Sequence, residues 1–129
     1  MSQKIGLQSV LLDPPPFLST TATVVGPLEG RGPLAAAYDR IYEEIFVGEK
    51  SYEAAELKML EECCVFALGK SDTKREEIDY FIAGDLLNQL TSSGFCALKL
   101  SIPFFGVYGA CSTLALSLSL GGMIISGGM

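Results

Sequence analysis

Apolar residues in the first half of the chain recur at the spacing of a helix. In "LAAAYDRIYEEIF", Tyr38, Ile41, Tyr42 and Ile45 fall on one helical face, and Gly48 follows as an end signal. This segment is therefore predicted to be a helix. The consecutive prolines of "DPPPF", upstream of it, favour an extended segment instead.

A second helical pattern begins after Ser51, whose hydroxyl suits the N-cap position. Leu57, Leu60, Cys64 and Leu68 form an apolar stripe along "YEAAELKMLEECCVFALGK", and the final Gly-Lys pair favours an end there. The stripe predicts a long helix that packs one face against a core.

Short apolar runs then alternate with further helical patterns. "SDTKREEID" contains a capping-box pattern, Thr73-x-x-Glu76, on a short turn of helix. "YFIAG" and "IPFFGVYG" are predicted strands, whereas "DLLNQLTSSGFCALKL" and "CSTLALSLSLGGMIIS" are predicted helices. An order of helix, strand, helix, strand, helix predicts an α/β fold with parallel strands and right-handed crossovers.

Charge is distributed unevenly along the 129 residues. The formal net charge is -6, which argues against a nucleic-acid-binding protein, and no charged residue follows Lys99. The last helix is therefore apolar on nearly all sides, which is typical of a membrane span or of the middle layer of a large protein. Pro103 and the glycines and serines in the uncharged run after Lys99 favour the buried layer.

The chain has no histidine and four cysteines, Cys63, Cys64, Cys96 and Cys111. No Cys–His or Ser–His pair can form within it, and a zinc site is not expected. Cys63 and Cys64 are interpreted as small core or boundary residues. Because no signal peptide is recognisable, a reducing, cytoplasmic-type setting with free thiols is expected.

Two strand exits carry the candidate chemistry, because ligands of open α/β sheets bind at the carboxyl ends of parallel strands. At the first exit Asp85 leaves the strand, and Asn88 and Gln89 are predicted in the first turn of the next helix. Asp85 is either the N-cap of a helix that begins at Leu86 or a ligand-binding residue.

The second exit is "VYGACST", where Cys111, Ser112 and Thr113 open the last helix. Free amides at a helix start favour an anion, and the same field lowers the pKa of a thiol placed there. Taken alone, the motif is weak, and it favours a cysteine packed in a core.

The two exits together resemble those of a known family. "ATVVGPLEGRGPLAAAYD", "EEIDYFIAGDLLNQ" and "IPFFGVYGACST" are similar to the N-terminal part of the stage V sporulation protein AD family, which is thiolase-like. The resemblance implies a layered α-β-α-β-α fold, of which residues 1–129 form only the first part of the N-terminal half. It also implies a homodimer when the protein is full length, with the last helix in the middle layer.

The same resemblance implies a function without catalysis. Members of this family are expected to bind dipicolinic acid, a dicarboxylate, and its calcium chelate for uptake into the developing spore. The expected partners are the other stage V sporulation protein A subunits, and the expected location is the periphery of the forespore inner membrane. No cofactor and no resident metal are implied, and calcium is expected only together with dipicolinate.

The resemblance also places a pocket, lined by Asp85, Asn88, Gln89, Cys111, Ser112 and Thr113. The amides and hydroxyls of Ser112 and Thr113 suit one carboxylate, and Phe105 or Tyr108 could stack on the pyridine ring. The alternative function is a thiolase-like acyltransferase that uses Cys111 as the nucleophile, with histidines supplied from outside this chain.

Overall fold

A computed structural model of the chain describes residues 3–87 and 89–129. Within these ranges the protein is a mixed α/β structure of three α-helices and three small two-stranded sheets. The α/β class is thus confirmed, whereas the five-layer thiolase-like arrangement stays a prediction. The elements are β1 (Gln3–Ile5), β2 (Ser9–Leu11), β3 (Val24–Val25), β4 (Arg40–Ile41), α1 (Tyr52–Lys70), β5 (Phe81–Ala83), α2 (Thr91–Leu100), β6 (Phe104–Gly106) and α3 (Thr113–Ser126).

The helix predicted after Ser51 is confirmed as α1. The Ser51 hydroxyl accepts a hydrogen bond from the Ala54 amide at 3.2 Å, which satisfies a free donor of the first turn. At the other end, the Ser71 amide donates to the carbonyls of Ala67 and Leu68. Local signals fix both ends of α1, and the helix then packs against α2 and β3.

The helix predicted around Tyr38 to Ile45 is wrong. Residues Ala35–Ala37 form a short 3-10 turn, and β4 follows it as a strand parallel to β3. The Asp39 carboxylate accepts from the Thr23 amide at 2.8 Å, and the Tyr42 amide donates to the Val25 carbonyl at 2.9 Å. These bonds to a distant segment hold the chain extended, so tertiary pairing overrides the helical spacing of the apolar residues.

The capping box predicted from Thr73 to Glu76 is also wrong, by one residue. The short 3-10 helix is Arg75–Glu77, and the Glu77 carboxylate accepts from the Lys74 amide at 2.7 Å. Glu77 is acidic like Glu76, so it can accept from a backbone amide one residue further along, although Lys74 is not a capping-box residue.

The predicted pair of parallel strands is confirmed. β5 and β6 pair in parallel with Phe81 opposite Phe104 and Ala83 opposite Gly106, and α2 connects them. Both strands therefore end at the same edge of the sheet.

α3 packs against β5, but much of the surface of this helix is exposed. Leu114 is 72% exposed, Leu118 54% and Ile125 57%. Single exposed leucines are ordinary, whereas a whole helix of them is a large apolar face that favours further protein contacts. In the ranges 3–87 and 89–129, no helix has both the length and the apolar character needed to cross a membrane.

Candidate functional site

The two predicted exits lie side by side in the fold. The Val107 amide donates to the Ala83 carbonyl at 3.0 Å, which continues the sheet pairing beyond the last residues of both strands. A Cβ added to Gly84 would lie 1.7 Å from the Val107 carbonyl oxygen and 3.2 Å from Thr113 Cγ2. Glycine is therefore required at position 84, and this close approach brings the Asp85 loop against the start of α3.

Asp85 is a helix cap, but not of the helix that the sequence predicts. Its carboxylate accepts from the Ser92 amide at 2.6 Å and from the Ser93 amide at 2.7 Å. The carboxylate thus caps α2, and the two amides lie seven and eight residues after Asp85 in the chain. α2 begins at Thr91 and not at Leu86. Asp85 is 1% exposed, and each carboxylate oxygen accepts from one backbone amide, so it acts as a side-chain cap of α2. The prediction that it is the N-cap of a helix beginning at Leu86 is wrong.

The loop between Asp85 and α2 is a turn and not the first turn of a helix. Gln89 is exposed and has φ of 49°, a left-handed conformation that is uncommon for a residue with a side chain. The Asp85 amide donates to the Gln89 carbonyl at 3.1 Å, which closes the turn. The prediction that Gln89 lies inside a helix is wrong, and Asn88 lies outside the described residues.

Glu56 of α1, which no sequence motif marks, holds this loop by hydrogen bonds. Glu56 accepts from the Leu86 amide at 2.9 Å, and its second oxygen lies 3.0 Å from the Ser92 hydroxyl. In the sequence, Glu56 is one of several acidic residues on a helix. No local pattern separates it from its neighbours, since its partners are 30 and 36 residues away.

At the second exit the chain forms a 3-10 turn, Ala110–Ser112, immediately before α3. The Ser112 amide donates to the Gly109 carbonyl at 2.9 Å, and the Thr113 amide donates to the Ala110 carbonyl. The expectation that these two amides are free for an anion is therefore wrong. The left-handed conformation of Ala110, φ 48°, begins the tight turn in which they are used.

The side chains of this turn keep some bonding capacity. The Ser112 hydroxyl donates to the Gly109 carbonyl at 2.7 Å, whereas the Thr113 hydroxyl accepts from the Gly109 amide at 3.1 Å. Thr113 therefore retains its own hydroxyl hydrogen as a donor. Cys111 is exposed beside them. At Ser112 and Thr113, the groups left available are therefore on the side chains and not the backbone amides.

The aromatic residues near the exits differ in their availability. Phe105 packs against Tyr80 with ring centroids 5.1 Å apart, so one part of its surface is already covered. Tyr108 is half exposed. Of the two candidates for stacking on a pyridine ring, Tyr108 is the one with more free surface.

The other thiols behave as packing groups. Burial raises the pKa of Cys63, whose thiol donates to the Ala22 carbonyl at 3.2 Å. A hydrogen bond between Cys64 and Cys96 raises the pKa of Cys64 and lowers that of Cys96. These contacts join α1 to α2 and to the segment before β3, and both residues are partly buried, which agrees with the interpretation of Cys63 and Cys64 as core or boundary residues.

A cleft of ≈ 430 Å³ opens between α1, β3 and the loop after β5. It is lined by Met59 and Leu60 of α1 and by Gly84 and Asp85, whereas Cys111, Ser112 and Thr113 do not line it. Among the described residues, no cluster of three or more His, Cys, Asp or Glu side chains is placed to hold a metal ion.

Comparisons with known proteins agree with the resemblance. A family model described as Stage V sporulation protein AD matches residues 6–129. The chain is also 36% identical over 123 residues to the stage V sporulation protein AD of Bacillus subtilis (strain 168). The alignment covers 95% of this chain and 36% of that protein, so the chain spans about a third of the relative's length.

Proposed function

This chain belongs to the stage V sporulation protein AD family, and from that membership we propose that it serves sporulation by binding dipicolinic acid without catalysing a reaction. The observation that carries the proposal is the close approach of Gly84 to Val107 and Thr113, which joins two motifs that lie far apart in the sequence. Binding sites at the carboxyl ends of parallel strands are common in α/β proteins.

The proposed site uses donors from both exits. Gln89, on the exposed turn, carries an amide that can donate to one carboxylate, and Asn88 belongs to the same segment of sequence. Thr113 offers its hydroxyl, with Ser112 and Cys111 beside it. Asp85 belongs to the proposed site as a support, because two amides of α2 already stabilise its charge.

Calcium enters the proposal as cargo and not as a resident metal. Both Asp85 oxygens are committed to backbone amides, so this residue does not present a free carboxylate to a cation. Calcium prefers several oxygen ligands, and dipicolinate supplies oxygens of its own. We therefore propose that calcium arrives already chelated by dipicolinate.

The proposal extends to partners and location. The apolar face of α3, which includes Leu114, Leu118 and Ile125, supports a place for this helix inside a larger thiolase-like fold. In the full-length protein we propose a homodimer. It would act at the periphery of the forespore inner membrane with the other stage V sporulation protein A subunits.

A thiolase-like acyltransferase is the second candidate, and the exposed Cys111 at the turn before α3 is the observation that favours it. Thiolase-like chemistry would need a general base, and this sequence contains no histidine to provide one. Alkylation by iodoacetamide near neutral pH distinguishes the candidates. A rate far above that of a free thiol favours the nucleophile, whereas an ordinary rate favours a binding residue.

The binding proposal is tested by thermal unfolding of the full-length gene product with dipicolinate, with and without Ca²⁺. A ligand at about one hundred times its Kd stabilises the folded state by about 2.7 kcal/mol. A saturable rise in Tm is expected, and pyridine-2-carboxylate, which has one carboxylate fewer, serves as the matched control. No shift at millimolar dipicolinate, or an equal shift with the control compound, would contradict the proposal.

A further inference from the structure

The loop between β5 and α2 is attached to the rest of the protein by two carboxylates from different elements. Asp85 holds the start of α2 from within the loop, through the Ser92 and Ser93 amides. Glu56 holds the loop from outside, because it lies on α1 and contacts the Leu86 amide and the Ser92 hydroxyl. The two carboxylates share Ser92 as a partner, Asp85 through its amide and Glu56 through its hydroxyl.

The turn between these attachments contains a backbone conformation that is not favoured on its own. Gln89 has φ of 49°, and conformations of this kind persist where the surrounding structure holds them. The Leu86 amide, at the other side of the turn, is bonded to Glu56 and not to a backbone carbonyl. Without Glu56 the Leu86 amide would lose its hydrogen-bond partner, and the turn would lose this bond to α1.

We propose that Glu56 is the positioning residue that holds residues 84–87 and 89–90 in the conformation that presents Gln89 to the ligand. The inference rests on the proposed function, since it concerns the same site. It assigns to a residue of α1 a role in ligand affinity, although Glu56 itself does not touch the ligand. Its oxygens are directed at the loop and at Ser92.

The geometry predicts that position 56 requires a hydrogen-bond acceptor but not a negative charge. In Glu56→Gln, the amide oxygen can still accept from Leu86, and the amide NH₂ can donate to the Ser92 hydroxyl. The Ser92 hydrogen then goes to the Glu53 carbonyl, which lies 3.1 Å from that hydroxyl. Glu56→Ala removes both contacts, so the two variants are expected to behave differently.

The test compares these variants in the full-length gene product by titration with dipicolinate well below Tm. Glu56→Ala is expected to raise Kd about tenfold, as for the loss of one hydrogen bond to a charged group. Glu56→Gln is expected to stay within about threefold of the wild type. Ser51→Ala is the matched control, because it weakens the cap of the same helix without contact to the loop.

Amide hydrogen exchange supplies a second readout that does not depend on binding. In Glu56→Ala the Leu86 amide is expected to exchange about tenfold faster, while the Ser92 and Ser93 amides stay protected by Asp85. If the wild type fails to bind dipicolinate, the proposed function falls and the exchange rates alone decide whether Glu56 fixes the loop.

Three results would overturn the inference. One is a Kd for Glu56→Ala within twofold of the wild type. Another is an equal rise in Kd for Ser51→Ala, which would mean that general destabilisation is the cause. The third is an unchanged Leu86 exchange rate in Glu56→Ala, which would show that the loop does not depend on Glu56.

Discussion

Replacement of Asp85 by Asn is the substitution whose effect the structure defines most closely. The wild-type carboxylate accepts from the Ser92 and Ser93 amides at 2.6 and 2.7 Å, and the side chain is 1% exposed. Asn has the same shape but only one oxygen, so its NH₂ group must face the other amide. One charge-assisted hydrogen bond is then replaced by contact between two donors.

The cost follows from the two parts of that change. A hydrogen bond to a charged group contributes about 1.5–3 kcal/mol, and a buried donor left without a partner costs about 1–3 kcal/mol. We therefore expect Asp85→Asn to lower the free energy of unfolding by about 3 kcal/mol. For a chain of 129 residues the entropy of unfolding is about 0.27 kcal/mol/K, so Tm should fall by about 10 °C.

The assay is urea and thermal unfolding followed by circular dichroism, with Asp72→Asn as the matched control. Asp72 is exposed, so the same chemical change there should alter stability by less than about 0.5 kcal/mol. An Asp85→Asn protein as stable as the control would refute the cap. A protein of normal stability that binds dipicolinate much more weakly would instead make Asp85 a direct ligand contact.

Further predictions concern the approach of the two exits and the ion pair beside β4. Gly84→Ala should cost about 3 kcal/mol or more, because its Cβ would lie 1.7 Å from the Val107 carbonyl. Gly94→Ala, in α2 with no atom near its added Cβ, should instead stabilise by about 0.5–1 kcal/mol, and urea unfolding of both variants checks the pair. The Lys70 ammonium and the Thr23 amide hold the pKa of Asp39 below its ordinary value of 3.8. Asp39 therefore stabilises the fold above that pH, and the contribution is lost as the pH falls through the lowered pKa. Relative to Asp39→Asn, the wild type should lose its advantage in urea midpoint on acidification below about pH 4, and a constant difference would contradict the ion pair.

The sequence predicts those elements whose signals are local. Both ends of α1 were predictable, because Ser51 caps its first turn and Gly69 and Lys70 are its last two residues. β5 and β6 were predictable as short apolar runs, and their parallel pairing follows from the helix between them. The candidate exits could be found in the same way, since both follow directly from those strands.

The features that the sequence does not predict depend on contacts between distant residues. β4 is a strand because it pairs with β3, although its apolar residues have helical spacing. The start of α2 depends on a cap that reaches it from Asp85, outside the helix. Glu56 acts through partners at least 30 residues away, which no local pattern reveals.

The prediction of free amides at the second exit is wrong for a different reason. A 3-10 turn precedes α3, and it uses the amides of Ser112 and Thr113 that a simple helix start would leave free. The left-handed conformation of Ala110, which begins this turn, is unusual for alanine, so no local pattern predicts it. The Ser112 and Thr113 amides are therefore not available to a ligand, in contrast to their side chains.

Dipicolinate is proposed to bind where the two strand exits meet. Amide chemical-shift mapping of the ¹⁵N-labelled full-length gene product during titration with dipicolinate tests it most directly. The largest saturable changes in amide chemical shift are expected for Gln89 and for residues 111–113, which belong to different segments. Shifts confined to the cleft beside Met59 and Leu60, or no saturable shifts, would contradict it.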